Sequence, residues 1–197
     1  MKPLKLFITA FGPYAATEVV DFRRAVDSGL FGIYGPTGSG KSSIFSAMAF
    51  ALFGEGARHE QPTTSMRSGH AAAQTLTEVA FLFELGGKRY FVRRQPEQKR
   101  PRLRGDGETD HVHTAYLFDA TDIEVDDVSV DNCGTVLAEK RVGVVTSAFA
   151  NCLATTSSNS ARSSFCLRGN SSASSRRTAR RVWRYCAAYS TSRSTSG

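Results

Sequence analysis

Residues 35–42, Gly35-Pro36-Thr37-Gly38-Ser39-Gly40-Lys41-Ser42, fit the pattern G-x-x-x-x-G-K-[ST] at every constrained position. The chemistry of that spacing is polyphosphate binding. A backbone that wraps an anion needs positive φ and close approach, which glycine alone allows without strain. Successive amides then turn inward to form a concave anion site, and a following helix adds its positive N-terminal end. Lys41 is placed to reach the β- and γ-phosphates of a nucleoside triphosphate, and the Ser42 hydroxyl to coordinate Mg²⁺.

The flanking residues supply the elements such a loop requires. Leu30-Phe31-Gly32-Ile33-Tyr34 reads as a short apolar strand entering the loop. Residues 43–53 read as a buried helix stopped by Gly54. Strand, loop and helix follow in the order that gives the motif meaning, so the loop is read as an ATP and Mg²⁺ site.

Along the rest of the chain, residues 4–11 read as a first strand closed by Gly12-Pro13-Tyr14, with residues 18–22 as its antiparallel partner. Residues 54–75 read as a mobile connection. Residues 77–85 and 88–94 flank Gly86-Gly87 and form a hairpin signal, because two glycines permit the favoured turn. Residues 115–119 give another strand, and regular structure resumes from 136 to 145.

At 197 residues the chain can bury a real core. Its longest apolar stretch, residues 44–53, is far shorter than the roughly 20 residues of a membrane span. With no signal-like start, the expectation is a soluble cytoplasmic protein with no membrane partner. The net charge of +7 suggests a nucleic-acid binder, but from Asn151 onward there is no Asp, Glu or Lys, only eight arginines. Removing those eight charges leaves residues 1–150 at about −1, so the basicity belongs to the C-terminal segment.

Residues 95–113 are polar and read as a loop. With Arg93 and Arg94, its Lys99, Arg100, Arg102 and Arg104 make a basic cluster. The cluster is either a solvated surface or a contact for DNA phosphates. His111 and His113 read as solvated loop residues, since no partner ligands stand at metal-site spacing. Cys133, Cys152, Cys166 and Cys186 show no C-x-x-C spacing.

Taken together, several segments resemble the bacterial SbcC family of exonuclease subunits, SMC-like ABC ATPases acting in DNA double-strand-break repair. They are Phe11-Gly12-Pro13-Tyr14, the Gly35–Ser43 loop, Ala51-Leu52-Phe53-Gly54-Glu55, Met66-Arg67-Ser68, the hairpin, Asp119-Ala120-Thr121, Glu139-Lys140 and Val142-Gly143-Val144-Val145. The resemblance covers residues 1–145. It implies an α/β fold, the N-terminal half of an ABC/SMC-type ATPase head with a mixed β-sheet and a P-loop helix.

In that family two chain ends build each head, a long coiled coil with a zinc hook separates them, and two heads dimerise around two ATP molecules. A partner nuclease, SbcD, cuts double-stranded DNA. Residue by residue, Gly35, Pro36, Thr37, Gly38, Ser39, Gly40, Lys41, Ser42 and Ser43 carry over as the nucleotide site, Ser42 as the Mg²⁺ ligand. Arg67 carries over as a nucleotide- or DNA-proximal arginine. The family's glutamine loop, signature, Walker B acid and switch histidine do not appear in frame.

Residues 146–197 are read as a disordered tail produced by a frameshift between about Val145 and Asn151. Permitted codons for Ser158 to Ser172, read from the third base of the first, translate as Q-F-R-Q-I-V-L-L-P-Q-G-x-F-E. That run resembles the family's glutamine-loop segment in its expected place. The competing reading is an Arg/Ser-rich segment that binds nucleic acid. A third reading, a small P-loop kinase, lacks an acid that cleanly ends an apolar strand after the loop, Asp119 in Tyr116-Leu117-Phe118-Asp119 being the one exception.

Overall fold

The computed structural model describes residues 1–26, 32–55, 66–102 and 107–157. Its strands in chain order are β1 (Lys2–Phe11), β2 (Tyr14–Asp21), β3 (Glu78–Leu85), β4 (Lys88–Gln95), β5 (Gln98–Pro101), β6 (Glu108–His111), β7 (Thr114–Asp119) and β8 (Thr135–Glu139). The helices are α1 (Arg23–Val26), α2 (Lys41–Phe53) and α3 (Val142–Ser157). Six strands form one sheet in the order β2-β1-β3-β4-β7-β8, while β5 and β6 make a separate ribbon.

Side-chain alternation sorts the sheet into two faces. Leu6 and Ile8 of β1, Val79, Phe81, Phe83 and Leu85 of β3, Val92 of β4 and Leu117 of β7 line the face under α2 and α3. Leu4, Ala80, Leu82, Phe91 and Phe118 line the other face, which Ala120 and Val128 cover. A register shift between Pro3 and Lys5 puts Leu4 on the opposite face from Leu6. β3 is buried on both faces because α2 and α3 cover one and Ala120 and Val128 the other, hence its nearly unbroken apolar sequence.

The α/β reading holds, and β1, the 78–95 hairpin, β7 and α2 stand where the sequence places them, while β2 begins at Tyr14, four residues before the expected 18–22. Gly86 and Gly87 have φ of 63° and 79°, as the two-residue hairpin turn requires. Every pairing recorded among the described strands is antiparallel. The strand expected at residues 30–34 is not found: residues 30 and 31 lie outside the described residues, and 32–34 pair with no strand. Apolar composition favours a strand there, but the segment joins neither outer strand of the sheet, β2 or β8. Of the expected mobile connection, residues 56–65 also lie outside the described residues.

The polar stretch 95–113 is not simply a loop, because it contains the ribbon. Gln98 anchors it by imitating a peptide group. Its side-chain carbonyl accepts the Thr77 N–H at 2.7 Å, and its amide donates to the Thr77 carbonyl at 3.0 Å. Helix α3 runs past residue 145, beyond which a disordered tail is expected, and continues to Ser157. Val145 and Phe149 repeat at helical spacing and are buried; Phe149 meets Phe53 and Phe83 edge-on.

Two basic side chains reach into the core, Arg94 fully and His113 in part. Arg94 is 0% exposed and donates Nε to the Ala51 carbonyl at 2.6 Å, and Nη2 to the Leu52 carbonyl and the Thr146 hydroxyl. It therefore binds the carbonyl end of α2, where a positive charge is favoured, and ties that end to α3. His113, read as a solvated residue, instead stacks on Phe50 with ring centroids 5.5 Å apart. Its Nε2 is buried with no hydrogen-bond partner among the described residues. Burial, and then the Arg94 charge, push its pKa down to about 4.

That depression has a defined sign. His113 is neutral in the fold and has an ordinary pKa in the unfolded chain, so its contribution is complete above about pH 6.5 and is lost as pH falls towards 4. Chemical unfolding measured across this window should show roughly 2 kcal/mol of stability lost on acidification, after allowance for partial exposure. His113→Phe should flatten that limb, and an unchanged pH profile would count against the buried placement.

Candidate functional site

Helix α2 is apolar on every side over residues 47–52, all of them buried. A helix of this kind is held by the core rather than lying on its surface. Only its N-terminal end reaches solvent, and the loop of residues 35–40 precedes that end. Residues 35–39 are exposed and Gly40 is buried as the N-cap, with φ +87°. No side chain caps the helix, which leaves its first amides available to an outside acceptor.

The loop's internal hydrogen bonds are few. The Ser39 N–H donates to the Pro36 carbonyl at 3.3 Å, and the Ser43 and Ile44 N–H groups donate to the Gly40 carbonyl at 2.9 and 3.2 Å. The amides of Gly40, Lys41 and Ser42 have no backbone acceptor recorded among the described residues. Lys41 Nζ folds back over the loop and donates to the Gly35 carbonyl at 2.8 Å and the Pro36 carbonyl at 2.6 Å. Free amides, a helix N-terminus and a lysine at one place fit a polyphosphate. Ser42 is exposed in the first turn beside Lys41, where a hydroxyl can reach a cation held against phosphate oxygens.

The β1–β2 turn supports this loop from the sheet side. Tyr14 Oη donates to the Gly40 carbonyl at 3.1 Å. A Cβ built on Gly40 would stand 2.5 Å from that oxygen, and one on Gly12 would stand 3.2 Å from Ser43 Oγ. The turn is in turn fixed by residues 66–68: Gly12 N–H donates to the Met66 carbonyl and Ser68 N–H to the Ala10 carbonyl, both at 2.9 Å. Arg67 is thereby brought next to Phe11. Its guanidinium, however, donates to the Thr75 and Ala72 carbonyls, so it shapes its own loop.

With that geometry in view, residues 5–134 match the family model described as an AAA domain. The chain belongs to this family, on its SbcC-like branch. The C subunit of the nuclease SbcCD from Vibrio cholerae is 50% identical over 117 residues, which is 59% of this chain and 12% of that relative. The protein of the same name from Lactococcus lactis is 44% identical over 117 residues, covering 59% of this chain and 11% of the relative. The one from Staphylococcus saprophyticus is 40% identical over 95 residues, 48% of this chain and 9% of the relative. The chain thus spans only a small part of the length of the curated relatives it matches.

Other candidate residues of this SbcC-like chain lie apart from the loop. Asp119 accepts the Thr121 N–H at 3.0 Å and pairs with Tyr90, at the opposite end of β7 from Thr114. It caps the turn that follows β7. The basic cluster is largely engaged. Arg93 donates to Glu78 at 2.7 Å, Arg94 is buried, Lys99 stands 3.7 Å from Glu108, and Arg102 donates to the Glu108 carbonyl. Arg104 and residues 158–197 lie outside the described residues. Among the described residues no group of His, Cys, Asp and Glu could hold a metal, and no helix is long and apolar enough to cross a membrane.

Sequence reasoning missed Tyr14 as a support of the loop and Arg94 as the grip on the far end of α2. Neither contact has a sequence signal, since each joins residues far apart in the chain. Gly40 gives the clearest test of the geometry. Gly40→Ala combines a left-handed residue with a clash against Tyr14, and should lower unfolding free energy by about 2 kcal/mol. Urea denaturation would measure this, and a neutral or stabilising effect would contradict the loop conformation.

Proposed function

We propose that residues 1–145 are the N-terminal part of the ATP-binding subunit of an SbcCD-type nuclease, and that Gly35 to Ser43 hold Mg·ATP. The observation that carries this reading is the uncapped start of α2 beside Lys41. When ATP arrives, the loop amides and the α2 N-terminus bind its phosphate oxygens, and Lys41 leaves the Gly35 and Pro36 carbonyls to pair with them. Ser42 contributes a hydroxyl to Mg²⁺. Bound Mg·ATP supplies the electrophilic phosphoryl group, and the residues named here bind and orient it.

Hydrolysis and DNA end processing belong to the longer protein. There the head would dimerise head-to-head, join an SbcD-type nuclease and act on double-stranded DNA in the cytoplasm. This chain presents no in-frame acid to position water, so it binds nucleotide without turnover. Arg67, committed to loop carbonyls, supports the site's surroundings. Residues 146–197 are assigned to a shifted reading frame on their composition and the recovered glutamine-loop translation. The helical stretch to Ser157 is compatible with this, because a chance repeat of apolar residues is enough to pack.

Equilibrium titration of the purified chain with Mg·ATP should show binding that Lys41→Ala weakens at least about tenfold, with no change in Tm. Equal affinity of the two proteins would refute the site. Sequencing of the coding DNA across codons 138–170 tests the frame: a gained or lost base is expected, and an intact frame matched by an independent copy of the gene would refute the shift.

A further inference from the structure

The residue that secures the loop lies outside the loop motif. Tyr14 is the first residue of β2 and stands opposite Phe11 across a two-residue turn. Phe11 is buried, its ring 6.2 Å from Phe50 in the middle of α2. The turn is also hydrogen-bonded to residues 66–68. Tyr14 therefore projects from a rigid part of the sheet onto the last residue of the loop.

The Gly40 carbonyl it reaches already accepts the Ser43 and Ile44 amides. These bonds direct the carbonyl down the α2 axis. The Gly40–Lys41 peptide is trans, as no cis bond occurs among the described residues, and in a trans peptide the N–H points opposite to the C=O. Holding the Gly40 carbonyl down the axis consequently turns the Lys41 N–H out of the helix end, to the side where an anion would sit. Gly40 is also the residue with most freedom to rotate, because it lacks Cβ. Pro13 Cγ and Tyr14 Oη would lie 3.1 and 2.5 Å from a Cβ at that position, so the turn closes off the alternatives. Burial, and then the Glu18 charge, raise the Tyr14 pKa above its ordinary value, which keeps the hydroxyl a donor.

We propose that Tyr14 is a positioning residue for the phosphate loop: its hydroxyl fixes the Gly40–Lys41 peptide so that the loop amides face a polyphosphate before it binds. The proposal rests on the nucleotide reading above. It further states that Tyr14 acts on the phosphate chain and not on the base. Pre-setting the loop lowers the ordering cost of binding, and the benefit is the same for any ligand with the same phosphates.

The experiment titrates the full chain, Tyr14→Phe and Lys41→Ala with Mg·ATP and, separately, with magnesium tripolyphosphate, and follows amide hydrogen exchange without ligand. Tyr14→Phe is expected to weaken both ligands by the same factor, about three- to tenfold. Amides of residues 41–44 should exchange faster while those of β3 and β4 stay protected. Wild-type affinity for both ligands in Tyr14→Phe would overturn the proposal. So would a loss confined to ATP, which would make Tyr14 a base contact. Loss of β3 and β4 protection would make it a folding residue and overturn the proposal too. If the wild-type chain and Lys41→Ala bind neither ligand or bind them equally, the nucleotide reading itself fails, and this proposal with it.

Discussion

The structure depends on how α2 is held at both ends. A helix carries unpaired amides at its start and unpaired carbonyls at its finish, and burying either without partners is costly. In this chain the two ends are treated differently. The carbonyl end is driven into the core, where Arg94 donates to the Ala51 and Leu52 carbonyls from a fully buried position. The amide end is left uncapped at the surface. The apolar residues between them pack against β1, β3 and β4, so the helix cannot rotate to exchange these roles.

The same arrangement explains the surroundings. Thr146 of α3 supplies Arg94 with an acceptor beyond the two α2 carbonyls. This couples the far end of the phosphate-loop helix to the last described helix. His113, packed beside Phe50 and near Arg94, stays uncharged at neutral pH, because a second cation there would be both buried and repelled. At the other end, the Tyr14 contact passes the rigidity of the sheet to Gly40. The core thus positions the loop without contributing to the surface that meets a ligand.

Much of this was legible in sequence where the signal is local. The Gly86-Gly87 turn, the strand β1, and the helix stopped by Gly54 each depend on residues close in the chain, and each stands as read. The ribbon β5–β6 was not legible, because its charged sequence lacks an apolar period and its stability comes from Gln98 pairing with the distant Thr77 backbone. Arg94 and His113 look like surface residues by type, and only tertiary packing buries the first and half-buries the second. The segment before the loop shows the converse: apolar residues at 32–34 suggest a strand, yet a strand requires pairing, and these residues pair with none of the described strands.

The most direct test of the account is an amide chemical-shift titration with Mg·ATP on the isotopically labelled chain. The largest changes are predicted at Gly38, Gly40, Lys41 and Ser42, with smaller ones at Tyr14 and little change at Gln98 or in β8. Changes confined to the basic ribbon, or none at saturating nucleotide, would contradict the claim that the uncapped start of α2 is a polyphosphate site.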